Sequence, residues 1–242
     1  MSAEEPRRLA SVYKAYRADS SIVSRWSTEN AGNRLILRER NDALAQLLAQ
    51  HEYIPLTGRR VLDLGCGSGD VLASLSELGA DAGALIGMDL LPERVSRALQ
   101  KFPTIDFLNG NGENLSFPAQ SFDLVLLFTV FTSILDLQVA QNVAAEVERI
   151  LRPGGSVVWY DFRYDNPRNP HVRGVTRREI SALFPSFTRY LHPITLFPPL
   201  ARRLGPFTMH LYPLLARLPF LRTHYLGLLI KPQVEERKQK CR

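Results

Sequence analysis

Three glycines at alternate positions, Gly65, Gly67 and Gly69, close the stretch "VLDLGCGSGD" (61–70), whose apolar run carries a single acid, Asp63. Without Cβ atoms a chain turns sharply and lets a ligand lie against its backbone. A helix opening directly after such a turn presents free N–H groups and the positive end of its dipole, which favours an anionic group. Asp89 ends "LIGMDL", 24 residues after Gly65. A carboxylate at the end of the second strand is the bidentate acceptor that a ribose diol needs. Downstream, "NGNGENLSF" offers Asn111 and Glu113 to a purine amino group, while Leu90 offers an apolar face to the ring.

Three ligand types use a bare turn of this kind. A nucleoside triphosphate wants GxxxxGK[ST], and no Lys-Ser or Lys-Thr follows here. A dinucleotide wants GxGxxG, but Asp70 occupies the last position and its charge would repel a pyrophosphate. S-adenosylmethionine carries no phosphate. It brings a carboxylate for the turn, an ammonium for a nearby acid or carbonyl, a ribose diol and an adenine.

These residues need strands that end and helices that begin at the right places. "RRVLDLG", "ALIGMDL", "IDFLNG", "SFDLVLLFTV" and "SVVWYDF" read as five strands, and "LRPGG" (151–155) as a tight turn before the last. "GDVLASLSEL", ended by Gly79, "PERVSRALQKF" with Pro92 in its first turn, and residues 136–150 read as helices between them. Alternation of this kind predicts a doubly wound α/β sheet. Upstream, Leu37, Leu44, Leu47 and Leu48 recur at helical spacing, and residues 1–30 read as a loosely packed, partly helical arm. Downstream, "TRREISALF" is a helix with Thr176 as N-cap and Glu179 completing a capping box. "FTRYLHPITLF" and "LRTHYLGLLIKP" read as strands, with short helices between them over 198–219.

"VLDLGCGSGD", the acid in "GMDL", "GNGENLSFPAQSFDLV" and "LRPGGSVVWYD", in this order and spacing across residues 58–162, resemble the class I S-adenosylmethionine-dependent methyltransferases. The resemblance implies a Rossmann-like, doubly wound, seven-stranded, mostly parallel sheet with an antiparallel last strand. "RTHYLGLLIKP" would be that strand and residues 186–196 its partner. To this are added an N-terminal helical arm and a C-terminal helical insertion. The divisions expected are an arm and helix over 1–50, read as a lid, a methyltransferase domain over 51–230 with its acceptor-site insertion at 163–219, and a flexible tail over 231–242. By the same resemblance Asp63, Gly65 and Gly67 are expected at the methionine end and Asp89 at the ribose. Asn111 stands where the family often has Asp contacting the adenine amino group, a weaker acceptor than a carboxylate. Cys66 and Gly112 are counted with the cofactor site as small residues within its turns. Phe128 and Thr129 fall where the family lines the reacting centre, and Arg25 or Arg34 would pair with the methionine carboxylate.

Methyl transfer is an in-line displacement on a sulfonium with a neutral leaving group, so the protein mainly supplies alignment and closure. A base is needed only where the acceptor must lose a proton. Asp161, ending strand five, and His171, in the loop after it, are the candidates; His192, His210 and His224 follow. The expected reaction is O-methylation of a small molecule or glycan in biosynthesis. A non-catalytic cofactor-binding protein, or methylation of a lipid-linked or nitrogen acceptor, is the alternative. Composition is that of a globular protein, with 45% hydrophobic and 22% charged residues. The net charge of +6 gathers in the C-terminal third, and "FPPLARRLGPFTMHLYPLLARLPFL" reads either as a helical subdomain packed on the sheet or as a face for an anionic membrane. Aromatic-and-basic interleaving for nucleic acid is absent. Cys66 and Cys241 form no metal spacing, and no metal is expected. Neither a signal peptide nor a membrane span is expected, which points to the cytoplasm.

Overall fold

Leu62, Leu64, Val125 and Leu127 pack on one side of the molecule's central sheet, while Val61, Leu124, Leu126 and Phe128 pack on the other. Successive residues of a strand point to opposite faces, so strands covered on both sides must be apolar throughout. The computed structural model describes residues 4–19 and 27–233. Its seven strands are β1 (Val61–Leu64), β2 (Leu85–Asp89), β3 (Asp106–Asn109), β4 (Phe122–Phe128), β5 (Leu151–Phe162), β6 (Thr188–Leu196) and β7 (Arg222–Ile230). They form one sheet in the order β3-β2-β1-β4-β5-β7-β6. β1 pairs in parallel with β2 and β4, β2 with β3, and β4 with β5. β7 runs antiparallel to both β5 and β6.

Eight α-helices accompany the sheet in the described residues: α1 (Glu4–Ala18), α2 (Ala31–Gln50), α3 (Asp70–Ser74), α4 (Pro92–Lys101), α5 (Leu137–Ile150), α6 (Arg177–Leu183), α7 (Pro198–Arg203) and α8 (Thr208–Leu215). α5 covers one face through Val139, Val143, Val147 and Ile150, joined by Ile180 of α6. α2 covers the other through Leu44, Leu47 and Leu48, beside Leu72 of α3 and Val95 of α4. A smaller cluster of Ile36, Leu196, Ala201, Tyr212 and Ala216 fastens α7 and α8 to α2. The capping box at α6 is present, with Thr176 and Glu179 exchanging hydrogen bonds.

Three expectations need correction. "LRPGG" is not a turn ahead of the fifth strand but part of it. Leu151 pairs with Phe122 and Ser156 with Leu124, so the residues between bulge out of a continuous strand, Gly154 adopting φ 77° and donating to Lys231 O at 3.0 Å. The helix after the glycine turn is shorter than its pattern. The Ser74 hydroxyl bonds back to Val71 O at 2.7 Å, and a 3₁₀ turn over Leu75–Leu78 runs to Gly79 at φ 86°. The N-terminal arm is not loose, for α1 is a 15-residue helix with specific anchors. Residues 20–26, with Arg25 and Trp26, and 234–242, most of the expected tail, lie outside the described residues.

α2 crosses α7 backbone to backbone. A Cβ on Gly32 would stand 2.2 Å from Ala201 O. Arg202 Nε donates to Asn33 Oδ1 at 2.9 Å, and Asn30 Nδ2 donates to Arg202 O at 3.2 Å. Gly32→Ala is therefore expected to destabilise the protein by about 1–3 kcal/mol, although alanine is the better helix former. Urea unfolding measures this; a raised stability would show that the crossing is not tight.

Candidate functional site

All parallel strands stop at the same edge, and β1 has β2 on one side and β4 on the other, so the crevice above β1 is the place where such sheets bind ligands. Beyond Leu64 the chain passes through Gly65, Gly67 and Gly69 at φ 81°, 58° and 80°, a region that side chains with a Cβ rarely enter. Gly65 and Cys66 donate to Met88 O at 2.7 and 3.0 Å, tying the turn to β2. A Cβ on Gly67 would meet nothing within 4 Å, so the turn faces open space there. A Cβ on Gly69 would collide with the Phe107 ring at 2.6 Å, so that glycine serves packing.

Two acids flank the turn. Asp89 is held by Gly67 N–H on Oδ2 and Leu91 N–H on Oδ1, both at 2.9 Å, with Arg94 3.6 Å away. Asp63 lies beneath the turn, 2% exposed, and its Oδ1 is buried without a hydrogen-bond partner. Burial and the negative charge of Asp89 push the Asp63 carboxyl up to about 7, with the Arg40 guanidinium opposing them. Arg40, on α2, lies 5.6 Å from the centroid of the Phe128 ring and 6.0 Å from that of Tyr160. Neither Asp63 nor Gly67 is on the wall of the cavity at this edge, but the buried Asp63 oxygen is an orphaned acceptor beneath the turn, which fits a ligand bringing a cationic donor such as an ammonium.

A cavity of about 120 Å³ opens on this edge. Gly65, Asp89, Leu90, Asn111, Gly112, Phe128 and Thr129, all expected at the cofactor, line it together. Thr129 adopts φ 57°, held by its N–H to Tyr160 O and its hydroxyl to Phe128 O, both at 2.7 Å. Left-handed backbone at a residue with a Cβ costs energy and clusters at ligand sites. Asn111 Oδ1 accepts Glu113 N–H at 3.1 Å, which leaves one lone pair for a ligand.

Other expected residues lie off the cavity wall. Cys66 packs into the apolar cluster under the turn, where burial pushes its thiol up. Glu113 turns away to accept from Asn142 of α5 at 2.9 Å and thereby props Asn111. Arg34 is exposed and donates to Thr28 O and Glu29 O, away from the turn.

Neither residue expected as a base lines the cavity. Asp161 is fully buried and spends its two oxygens on the N–H groups of Phe131 and Thr132, each at 3.1 Å. Burial raises its carboxyl well above the usual range. It is a strut for the turn over Phe131–Ser133, whose neighbours Val130 and Ile134 line the cavity. His171 is exposed and packs edge-on against Tyr16, 6.4 Å between centroids, outside the cavity. Arg173 clamps its loop to the same turn by donating from Nε to Ile134 O at 2.9 Å.

The cover is the arm read as a lid, but the residues that seat it were not among those singled out in the sequence. α1 lies across the cavity through Glu5, Pro6, Leu9 and Tyr13. Glu5 accepts Leu135 N–H at 2.7 Å, Arg8 donates to Ser133 O at 2.5 Å, and the Tyr13 hydroxyl meets Ser133 Oγ at 3.1 Å. On the opposite rim Arg94 stacks 4.0 Å from the Tyr13 ring centroid, and Arg17 pairs with Glu93. The signal was present as Glu5, Leu9, Tyr13 and Arg17 at four-residue spacing, one face of a helix. Cofactor pockets hold roughly 300 Å³ or more, so α1 must shift for a nucleoside-sized ligand to enter.

A domain family described as "Methyltransferase domain" matches residues 61–155. An uncharacterized methyltransferase of Synechocystis sp. is 31% identical over 142 residues, 59% of this chain and 61% of that relative. The phthiotriol/phenolphthiotriol dimycocerosates methyltransferase of Mycobacterium leprae is 30% identical over 139 residues, 53% of this chain and 50% of the relative. The chain thus spans about half to three-fifths of the length of these curated relatives. Among solved structures, the Burkholderia thailandensis 1,6-didemethyltoxoflavin-N1-methyltransferase, with bound 1,6-didemethyltoxoflavin and S-adenosylhomocysteine, superposes with a TM-score of 0.64 at 19% identity. That match covers 96% of this chain and 92% of the other. Residues 61–155 thus match a methyltransferase domain, and the chain shares its fold with a methyltransferase of known structure.

The Asp63 carboxyl carries a pH signature. Its ordinary value is 3.8 and its folded value about 7, so the native state keeps a proton that the unfolded chain releases. The stability from that proton is complete below the ordinary value and is lost as pH rises through about 7. Asp63→Asn is expected to flatten the fall in unfolding free energy between those limits and to raise stability at pH 8, while weakening S-adenosylhomocysteine binding at least tenfold. Denaturation series against pH and calorimetry would show both.

Proposed function

We propose that the protein methylates an oxygen of a small, largely apolar acceptor, using S-adenosylmethionine. The observation that carries the cofactor half is the buried, unpartnered oxygen of Asp63 beneath a turn that faces open space at Gly67. When bound, the cofactor supplies an electrophilic methyl group on a positively charged sulfur. Asp63 would take its ammonium, Arg40 its carboxylate, Asp89 the ribose diol, and Asn111 with Leu90 the adenine. Phe128 and Thr129 would border the reacting centre, and α1 would exclude water once seated.

For the acceptor, the support is the wall itself. Leu9, Val130, Ile134, Val139 and Val143 make it mainly apolar. Its ionisable members among the described residues are Glu5, Tyr13, Asp89 and Arg94, and each already has a polar or charged partner. None is a free base, which favours an acceptor oxygen acidic enough to ionise by itself, as in a phenol or enol, over an alcohol or sugar hydroxyl.

Two measurements test this reading. Asp89→Ala should weaken S-adenosylhomocysteine binding by about tenfold or more with an unchanged circular dichroism spectrum; unaltered affinity refutes the ribose assignment. Transfer of labelled methyl to a panel of phenols, enols, sugars and amines should be confined to the acidic hydroxyls, at a rate that rises with acceptor ionisation. Transfer to amines or sugars alone would overturn the acceptor class.

A further inference from the structure

α8 is apolar on both faces, but only one face is covered. Thr208, Tyr212 and Ala216 form the buried stripe against α2, where the Tyr212 hydroxyl donates to Glu39 at 2.7 Å. On the opposite side Phe207, Leu211, Leu214 and Leu218 recur at intervals of three and four residues and stand exposed. Phe220, in the next turn, is 71% exposed, Phe207 63%, Met209 62% and Leu214 57%. A helix that is hydrophobic all round belongs in a core or in lipid, and clustered exposed side chains of this size mark an interaction surface.

The charge around this patch selects the partner. Between Glu179 and Glu235 the sequence contains no acidic residue, while Arg189, Arg202, Arg203, Arg217, Arg222 and Lys231 fall within that span. Arg203, the last residue of α7, and Arg217, two residues past α8, are exposed. An apolar stripe flanked by arginines, in a segment with no carboxylate of its own and with Glu39 of α2 on its covered side, complements an anionic bilayer, whose surface attracts basic side chains while its acyl boundary takes apolar ones. Topology orients the patch. The segment between β6 and β7 leaves the sheet at Leu196 and returns at Arg222, which pair with each other beside the Phe162 end of β5. This is the edge that carries the cofactor turn.

We propose that α8 and its flanking turns dock the protein on an anionic membrane surface, with the cofactor edge of the sheet turned toward the lipid. The proposal does not rest on the reading of the reaction. It is tested with the whole chain in flotation assays on vesicles of phosphatidylcholine alone and of phosphatidylcholine mixed with phosphatidylglycerol. The protein should float with the mixed vesicles only, and added salt should release it. Phe207→Ser with Phe220→Ser, and separately Arg203→Glu with Arg217→Glu, should each weaken that binding by about tenfold or more, with S-adenosylhomocysteine affinity unchanged in both. Equal binding to the two vesicle types, no flotation, or binding insensitive to both variants would overturn it. So would a concentration-dependent dimer in sedimentation that the phenylalanine substitutions dissociate, which would assign the face to a second copy of the chain.

Discussion

Two buried carboxylates share one end of the sheet, and the remaining features of the site answer to that constraint. Asp89 raises the cost of ionising Asp63, which burial has already made high. Asp89 is stabilised in place by backbone N–H groups from the glycine turn and from the chain after β2. Asp63 has no such donor on Oδ1 and depends on the more distant charge of Arg40. A cationic amino-acid tail laid on the turn would complete what the protein leaves unbalanced. The same electrostatics that oppose the isolated fold therefore favour the bound state, a common arrangement where a site is built for charge.

The sheet makes this arrangement possible because β1 and β2 end together while their connection passes over the edge. Thr129 and Asp161 then shape the far wall. One holds left-handed backbone at the exit of β4, and the other caps the following turn with both carboxylate oxygens. Asp161 looks like a catalytic group in the sequence because it ends a strand at the active edge. Its register places it inward instead, opposite Tyr225 on β7, and complete burial assigns its charge to backbone donors.

Legibility followed the range of the interactions. The glycine turn, Asp89 and the strand–helix alternation are local, written within a few residues, and the elements from β1 to α5, apart from the shortened α3, stand close to where periodicity puts them. The bulge at 152–155 was legible as turn chemistry but not as a departure within a strand, since only pairing with β4 and β7 distinguishes the two. The α1 cover, the inward register of Asp161 and the placement of Arg40 beside Asp63 depend on partners between 23 and 130 residues away in the chain. No spacing rule reaches that far.

α2 joins the two halves of the molecule at one point in its sequence. Glu39 accepts from Tyr212 of α8, and its neighbour Arg40 reaches the Phe128 ring and the field of Asp63. Successive helix residues project about 100° apart, so a single helix can present one side chain to the insertion and the next to the cofactor turn. Gly32 and Asn33 fasten the beginning of the same helix to α7. A tilt of α2 large enough to reseat α8 would therefore carry the Arg40 charge toward or away from Asp63. Close packing at Gly32 and the buried cluster around Ile36 make the helix a rigid strut rather than a hinge, so the packing of the insertion on α2 helps to hold the Arg40 guanidinium where it acts on Asp63.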